Sequence, residues 1–150
     1  MYVDGGTNGP GRFIMSGGTI SGNTAEASNG PTGAFGGGVD VRDGGSFEMS
    51  GGVIRGNRTA GNQSRYGGGV SITDTGSSFV KTGGGTIFGN NALPEEANNA
   101  APGNTWGHAV FYAFGGPFFR DTTLEEGDDI STSLVPPLPA GTTQFNWTRR

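Results

Sequence analysis

Few residues in this chain of 150 have the types and spacing that chemistry requires. Asp43 and Asp74 stand 31 positions apart at similar places in a repeated pattern. Two carboxylates so placed are either a weak Ca²⁺ site or caps on turn backbone N–H groups. Turn capping is the commoner use, and the repeat lacks the Ca²⁺-binding nonapeptide pattern. The run "LEEGDDIS" adds Glu125, Glu126, Asp128 and Asp129. It reads either as a cation site or as a solvated acidic loop, the usual role of a charge run. His108 is the single histidine, and no cysteine is present to complete a zinc site with it. It falls where Gly37 and Gly68 fall in the repeat and reads as a variation at a strand corner. Gly36-Gly37-Gly38 precedes a strand rather than a helix and is no phosphate loop. The expectation is a chain without catalytic residues and without a cofactor. Asp43 and Asp74 are its weak metal candidates.

Two other surface chemistries compete with structural uses. Tyr66, Trp106, Phe111, Tyr112, Phe114, Phe118 and Phe119 crowd one region. Aromatic faces stack on sugars, and they also fill cores and caps, which is the commoner use. Three N-glycosylation-type triplets occur: Asn57-Arg58-Thr59, Asn62-Gln63-Ser64 and Asn146-Trp147-Thr148. Asn57 is needed by the repeat, as argued next, so Asn62 and Asn146 are the candidate glycan sites.

The elements that must position these residues come from a repeat. "RFIMSGGTISGN" ends at Asn23, "GGGVDVRDGGSFEMSGGVIRGN" at Asn57, and "GGGVSITDTGSSFVKTGGGTIFGN" at Asn90, with a weaker echo in "GHAVFYAFGGPFF" from Gly107. Ile20, Ile54 and Ile87 are spaced by 34 and 33, and Asn23, Asn57 and Asn90 follow the same spacing. Within a unit the period is two: Val39-x-Val41, Phe47-x-Met49 and Val70-x-Ile72 each put two apolar side chains on one strand face. Glycine pairs such as Gly44-Gly45 and Gly51-Gly52 separate the strands and permit sharp corners. Three short strands, two glycine corners and a polar loop describe one coil of a parallel β-helix, stacked on the next at about 4.8 Å. The expected narrow core is Ile20, Val39, Val41, Phe47, Met49, Ile54, Val70, Ile72, Ile87 and Val110. The expected ladder of stacked amides is Asn23, Asn57 and Asn90. Residues 24–35, 58–66 and 91–106 read as variable loops.

Composition agrees. Glycine supplies 32 residues without a three-residue period, which excludes collagen, and 31% hydrophobic residues allow only a narrow core. The net charge of −4, with no basic stripe, argues against a nucleic-acid partner. No apolar run is long enough for a membrane span, and no signal peptide is visible after Met1. Stacking the units puts Asp40, Ser71 and Phe111 in one outward row, Ile14, Glu48 and Lys81 in a second, and Ser21, Arg55 and Phe88 in a third. None is the repeated carboxylate pair that glycan cleavage uses. "SSFVKTGGGTI" has one residue more than "SFEMSGGVI". A bulge near Ser78 and Phe79 would let Val80 replace Phe47, Thr82 replace Met49 and Lys81 point outward. The alternative register buries Lys81 at the Met49 position, and the first is preferred because an unpaired buried Lys is costly.

"FEMSGGVIRGN" followed by "GGGVSI" resembles bacterial surface proteins with right-handed parallel β-helix repeats, of the kind found in spirochaetes and anaerobes. The resemblance covers residues 12–92. It implies an all-β, right-handed, single-stranded parallel solenoid of about four rungs over residues 1–130. Residues 131–150 would form a C-terminal capping tail or a strand that pairs with a neighbouring subunit. It implies a cell-surface or extracellular location and carries no activity. Strand edges at the ends of such a fold need covering. Met1, Tyr2 and Val3 enter a rung at once, and Phe145-x-Trp147 makes a strand with one apolar face. These five are the expected assembly contacts. The expected partners are further copies of the chain, or the rest of a longer β-helix, and surface glycans. The functional expectation is a non-enzymatic structural or adhesive module in a surface assembly or filament. Its rival is a carbohydrate-binding or polysaccharide-degrading domain.

Overall fold

The computed structural model describes residues 1–6, 9–27, 33–62, 64–81, 85–88, 99, 105–106, 109–113, 118–120 and 130–132. These residues are all-β, with no helix among them. The strands are β1 (Tyr2–Asp4), β2 (Arg12–Ser21), β3 (Thr24–Ala27), β4 (Ala34–Phe35) and β5 (Val39–Arg42). They continue with β6 (Ser46–Arg55), β7 (Arg58–Gly61), β8 (Arg65–Tyr66), β9 (Val70–Ile72) and β10 (Ser78–Lys81). The last are β11 (Thr86–Ile87), β12 (Thr105–Trp106), β13 (Val110–Tyr112), β14 (Phe118–Arg120) and β15 (Ile130–Thr132).

Every pairing is parallel, and each joins a strand to its equivalent one unit further along the chain. One sheet has the order β1-β5-β9-β13-β15. Its registers join Val3 to Val41, Val41 to Ile72 and Ile72 to Tyr112. A second sheet is built on β6, with β2 along one edge and β10 and β11 along the other, and β14 beyond β10. Sheets β4-β8-β12 and β3-β7 complete the architecture. Period-two apolar patterning sets which face is buried. Val39, Val41, Val70, Ile72 and Val110 from the first sheet meet Phe47, Met49, Ile54, Phe79 and Ile87 from the second, and all ten are essentially inaccessible to solvent. Ile20 packs against this core but remains partly exposed. Phe13, Phe47 and Phe79 stack with ring centroids 5.0 Å apart at both steps.

Four expectations are corrected. First, Gly51-Gly52 does not end a strand: β6 runs through it, bending where Gly52 has φ +92°. A Cβ there would come within 2.5 Å of Met15 Cε and 2.9 Å of the Gly17 backbone, so the bend and the close approach both require glycine. Second, the segments expected as loops contain short parallel strands of their own, β3, β4, β7, β8 and β12. They carry no apolar alternation. Register on an already stacked neighbour forms them, rather than local propensity.

Third, Lys81 lies opposite Met49, with Phe79 opposite Phe47 and Val80 opposite Glu48. Lys81 is therefore buried, at 1% exposure, and Val80 takes its place in the outward row. Continuing the Phe13–Phe47 stack with Phe79 fixes this register. Thr86 follows Lys81 by five positions where Val53 follows Met49 by four, so an extra residue lies after Lys81 rather than at a bulge before it. Thr82 lies outside the described residues. Fourth, the third amide of the ladder is Asn99, as described below. Ser131 and Thr132 of the expected tail belong to β15, and the rest of the tail lies outside the described residues.

Candidate functional site

Three places gather polar or exposed groups: the turn after β5, the outer side of the first sheet, and the free edges of the first unit.

At the turn, Gly45 N–H donates to Arg42 O at 2.8 Å, and Asp43 and Gly44 both have positive φ. Asp74 Oδ1 accepts from the backbone N–H groups of Gly76 and Ser77, each at 2.9 Å. Its Oδ2 accepts from Ser77 Oγ and from Asp43 N–H. Desolvation works to raise the Asp74 pKa, but these four hydrogen bonds outweigh it and hold the carboxyl below its ordinary value. The structure thus brings Asp43 and Asp74 together through backbone, with both Asp74 oxygens committed to capping. No cluster of three metal-ligating side chains exists among the described residues.

On the outer side of the first sheet, Tyr2, Asp40, Ser71 and Phe111 form one row by register, which extends the expected Asp40–Ser71–Phe111 row by one. Asp40, Ser71 and Phe111 are buried although they point away from the core. The cover is aromatic. Phe35 of β4 stacks on Tyr66 of β8 at 4.8 Å, and Tyr66 meets Phe111 at 4.7 Å. Arg42 lays its guanidinium over the Phe35 ring at 4.7 Å and reaches the Tyr2 ring at 6.0 Å. Beneath this cover Ser71 Oγ donates to Asp40 Oδ1, and Arg42 Nε lies 2.6 Å from Asp40 Oδ2. That second contact is a charge pair without aligned hydrogen-bond geometry. Burial pushes the Asp40 carboxyl up, opposed by Ser71 and Arg42. Among the described residues this carboxylate has neither a histidine nor a second acid beside it. The arrangement seals one unit to the next and offers no nucleophile with its base.

The third place is the amide ladder and the edge where it ends. Asn57 Nδ2 donates to Ile20 O at 2.9 Å, and its Oδ1 accepts from Asn23 N–H at 3.1 Å and Asn23 Nδ2 at 2.9 Å. One unit on, Asn99 repeats the pattern. Its Nδ2 donates to Ile54 O at 2.9 Å, and its Oδ1 accepts from Asn57 N–H and Asn57 Nδ2, each at 3.0 Å. Asn57 and Asn99 are fully buried. The glycine runs make room for them: a Cβ on Gly38 would lie 3.1 Å from the Asn57 amide nitrogen, and one on Gly69 2.9 Å from that of Asn99. Asn90 lies outside the described residues, and spacing missed Asn99 for a simple reason. Asn57 follows Ile54 by three positions, whereas Asn99 follows Ile87 by twelve, so the intervening loop enters before the ladder amide. The glycine run at 67–69, which needs an amide beside it as the run at 36–38 does, was the available signal.

At the first unit the ladders stop. β1, β2, β3 and β4 each terminate their sheets and, among the described residues, pair on one side only. Met1, Tyr2 and Ile14 are more than half exposed, at 59%, 56% and 52%. Asn23 is exposed, and Phe13 and Ile20 are half-buried, whereas Val3 is buried. The β2–β6 face above this edge carries an exposed bidentate pair between Arg12 and Glu48, at 2.9 and 2.7 Å. Asn62 is exposed. His108, the acidic run at 125–129, Phe145, Asn146 and Trp147 lie outside the described residues. No described helix is long and apolar enough to cross a membrane. Comparison of the chain with protein-family models, with curated proteins and with solved structures finds no match.

Proposed function

We propose that the parallel sheets are the walls of a right-handed, single-stranded parallel β-helix of about four rungs with a C-terminal cap. In this reading the protein is similar to bacterial β-helix surface proteins and works outside the cell. It is a non-enzymatic structural or adhesive module that assembles end to end, its first rung covered by a second copy. The supporting observation is the open edge. Three strands end there side by side, two of them carrying exposed apolar side chains, and such edges template further pairing. All described strands run parallel, so a partner that continues the pattern meets the edge head to tail. A head-to-tail contact that does not close by rotation gives a filament. Sedimentation velocity across a wide concentration range, with electron microscopy of the same samples, tests this. Concentration-dependent linear oligomers support the reading, and a monomer at every concentration overturns it.

The exposed Tyr2 ring beside Arg42 and Phe35 favours one second reading, a glycan stacked on that aromatic corner. Saturable binding on a glycan array, lost in Tyr2→Ala, would establish it over end-to-end assembly.

A further inference from the structure

We infer that Asn23 is the register-setting contact of the end-to-end junction, its Oδ1 receiving a paired backbone and side-chain amide from the incoming second copy. The inference rests on the assembly reading above and deepens it.

The ladder has a direction. In each described step the oxygen of one amide accepts both the backbone N–H and the Nδ2 of the amide one unit earlier. Asn57 and Asn99 therefore have their oxygens filled from the preceding unit. Asn23 has the same neighbours on its inner side, yet its Oδ1 accepts no hydrogen bond from the described residues. Its Nδ2 shows the same truncation. Asn57 and Asn99 direct Nδ2 to the carbonyl of the preceding unit's isoleucine, whereas Asn23 turns Nδ2 to its own Ser21 O at 3.1 Å. Asn23 is a ladder amide with the acceptor side open.

Two other ladders open at the same edge. Phe13 ends the Phe13–Phe47–Phe79 stack with one ring face uncovered, and Ile20 ends the isoleucine row half-buried. The edge therefore asks for a partner with an aromatic ring, a β-branched side chain and a two-donor amide at the spacing of one unit. That is the chemistry by which this chain's own units already meet, so the occupant is a second copy continuing the internal interface. Apolar contact alone tolerates a slip along the strand. An amide pair at one corner does not, because a shifted partner leaves the acceptor unfilled and the two donors buried without a partner.

The experiment uses the full chain and Asn23→Ala, with the association constant read by sedimentation and the fold read by circular dichroism and thermal melting. A folded Asn23→Ala that associates at least tenfold more weakly than wild type supports the inference. A folded variant that associates equally well overturns it and leaves the assembly reading standing. A wild-type chain that stays monomeric overturns the assembly reading itself. If Asn23→Ala does not fold, the wild-type junction decides by cryo-electron microscopy. Donors from the next copy within hydrogen-bond distance of Asn23 Oδ1 support the inference, and water there overturns it.

Discussion

Phe13, Ile20 and Asn23 repeat as Phe47, Ile54 and Asn57, yet the two sets live in different surroundings. The middle set is inaccessible to solvent, with rings stacked on both sides and every described amide group matched. The edge set has the same chemistry and half the contacts. Sequence repetition thus produces equal units, and position in the stack makes them unequal. Stability belongs to the middle units, and whatever recognition the fold offers belongs to the edge.

The largest effect should separate the aromatic pair. Phe47→Ala removes a ring stacked on both faces and should cost about 3–5 kcal/mol, whereas Phe13→Ala should cost about 1 kcal/mol in the dissociated chain. Urea melts of the two variants measure this, and equal losses would break the comparison. The amides come next. Asn57→Ala leaves the carbonyl of Ile20 and the donors of Asn23 without their partner and should cost about 2–3 kcal/mol. Gly38→Ala places a methyl 2.6 Å from Gly69 O and against the Asn57 amide, and overpacking there should cost about 1–3 kcal/mol, read as a lowered thermal midpoint.

A smaller effect sharpens the contrast between two buried uses of aspartate. Asp40 has its pKa raised by burial, so the folded state holds that proton more tightly than the unfolded chain does. The associated stability is full at acid pH and lost as pH rises through the raised value. Asp74 has its pKa lowered by turn hydrogen bonds, so its stability is present above the ordinary carboxylate range and lost as pH falls through the depressed value. The stability of Asp40→Asn relative to wild type should therefore rise with pH, and that of Asp74→Asn should fall. Chemical melts between the acid limb and neutrality measure both slopes, and slopes of the same sign would contradict the assignment. Smallest of all, Arg12→Ala at the exposed pair with Glu48 should leave the melting midpoint unchanged within error, because solvent screens such pairs.

How much of this was legible follows from where the physics is local. Alternation such as Val39-x-Val41 carries its burial in two residues, so the inward face of each sheet could be read directly. Lys81 could not, because Phe79 stacking on Phe47, a contact between units, decides its register. Asn99 was hidden by a loop placed before it rather than after it. The outer cover over Asp40 and Ser71 was hidden because Phe35 and Tyr66 sit on strands of two residues without a pattern of their own. The open acceptor of Asn23 needed the directions of hydrogen bonds, which spacing does not encode.

The most direct measurement is hydrogen exchange at low and high protein concentration. End-to-end assembly predicts that amides of β1, β2 and β3 that are open in the dilute chain become protected on concentration, while those of β5, β6 and β7 do not change. Exchange at β1, β2 and β3 that is independent of concentration would contradict the account, because the free edge would then not be where copies of this chain meet.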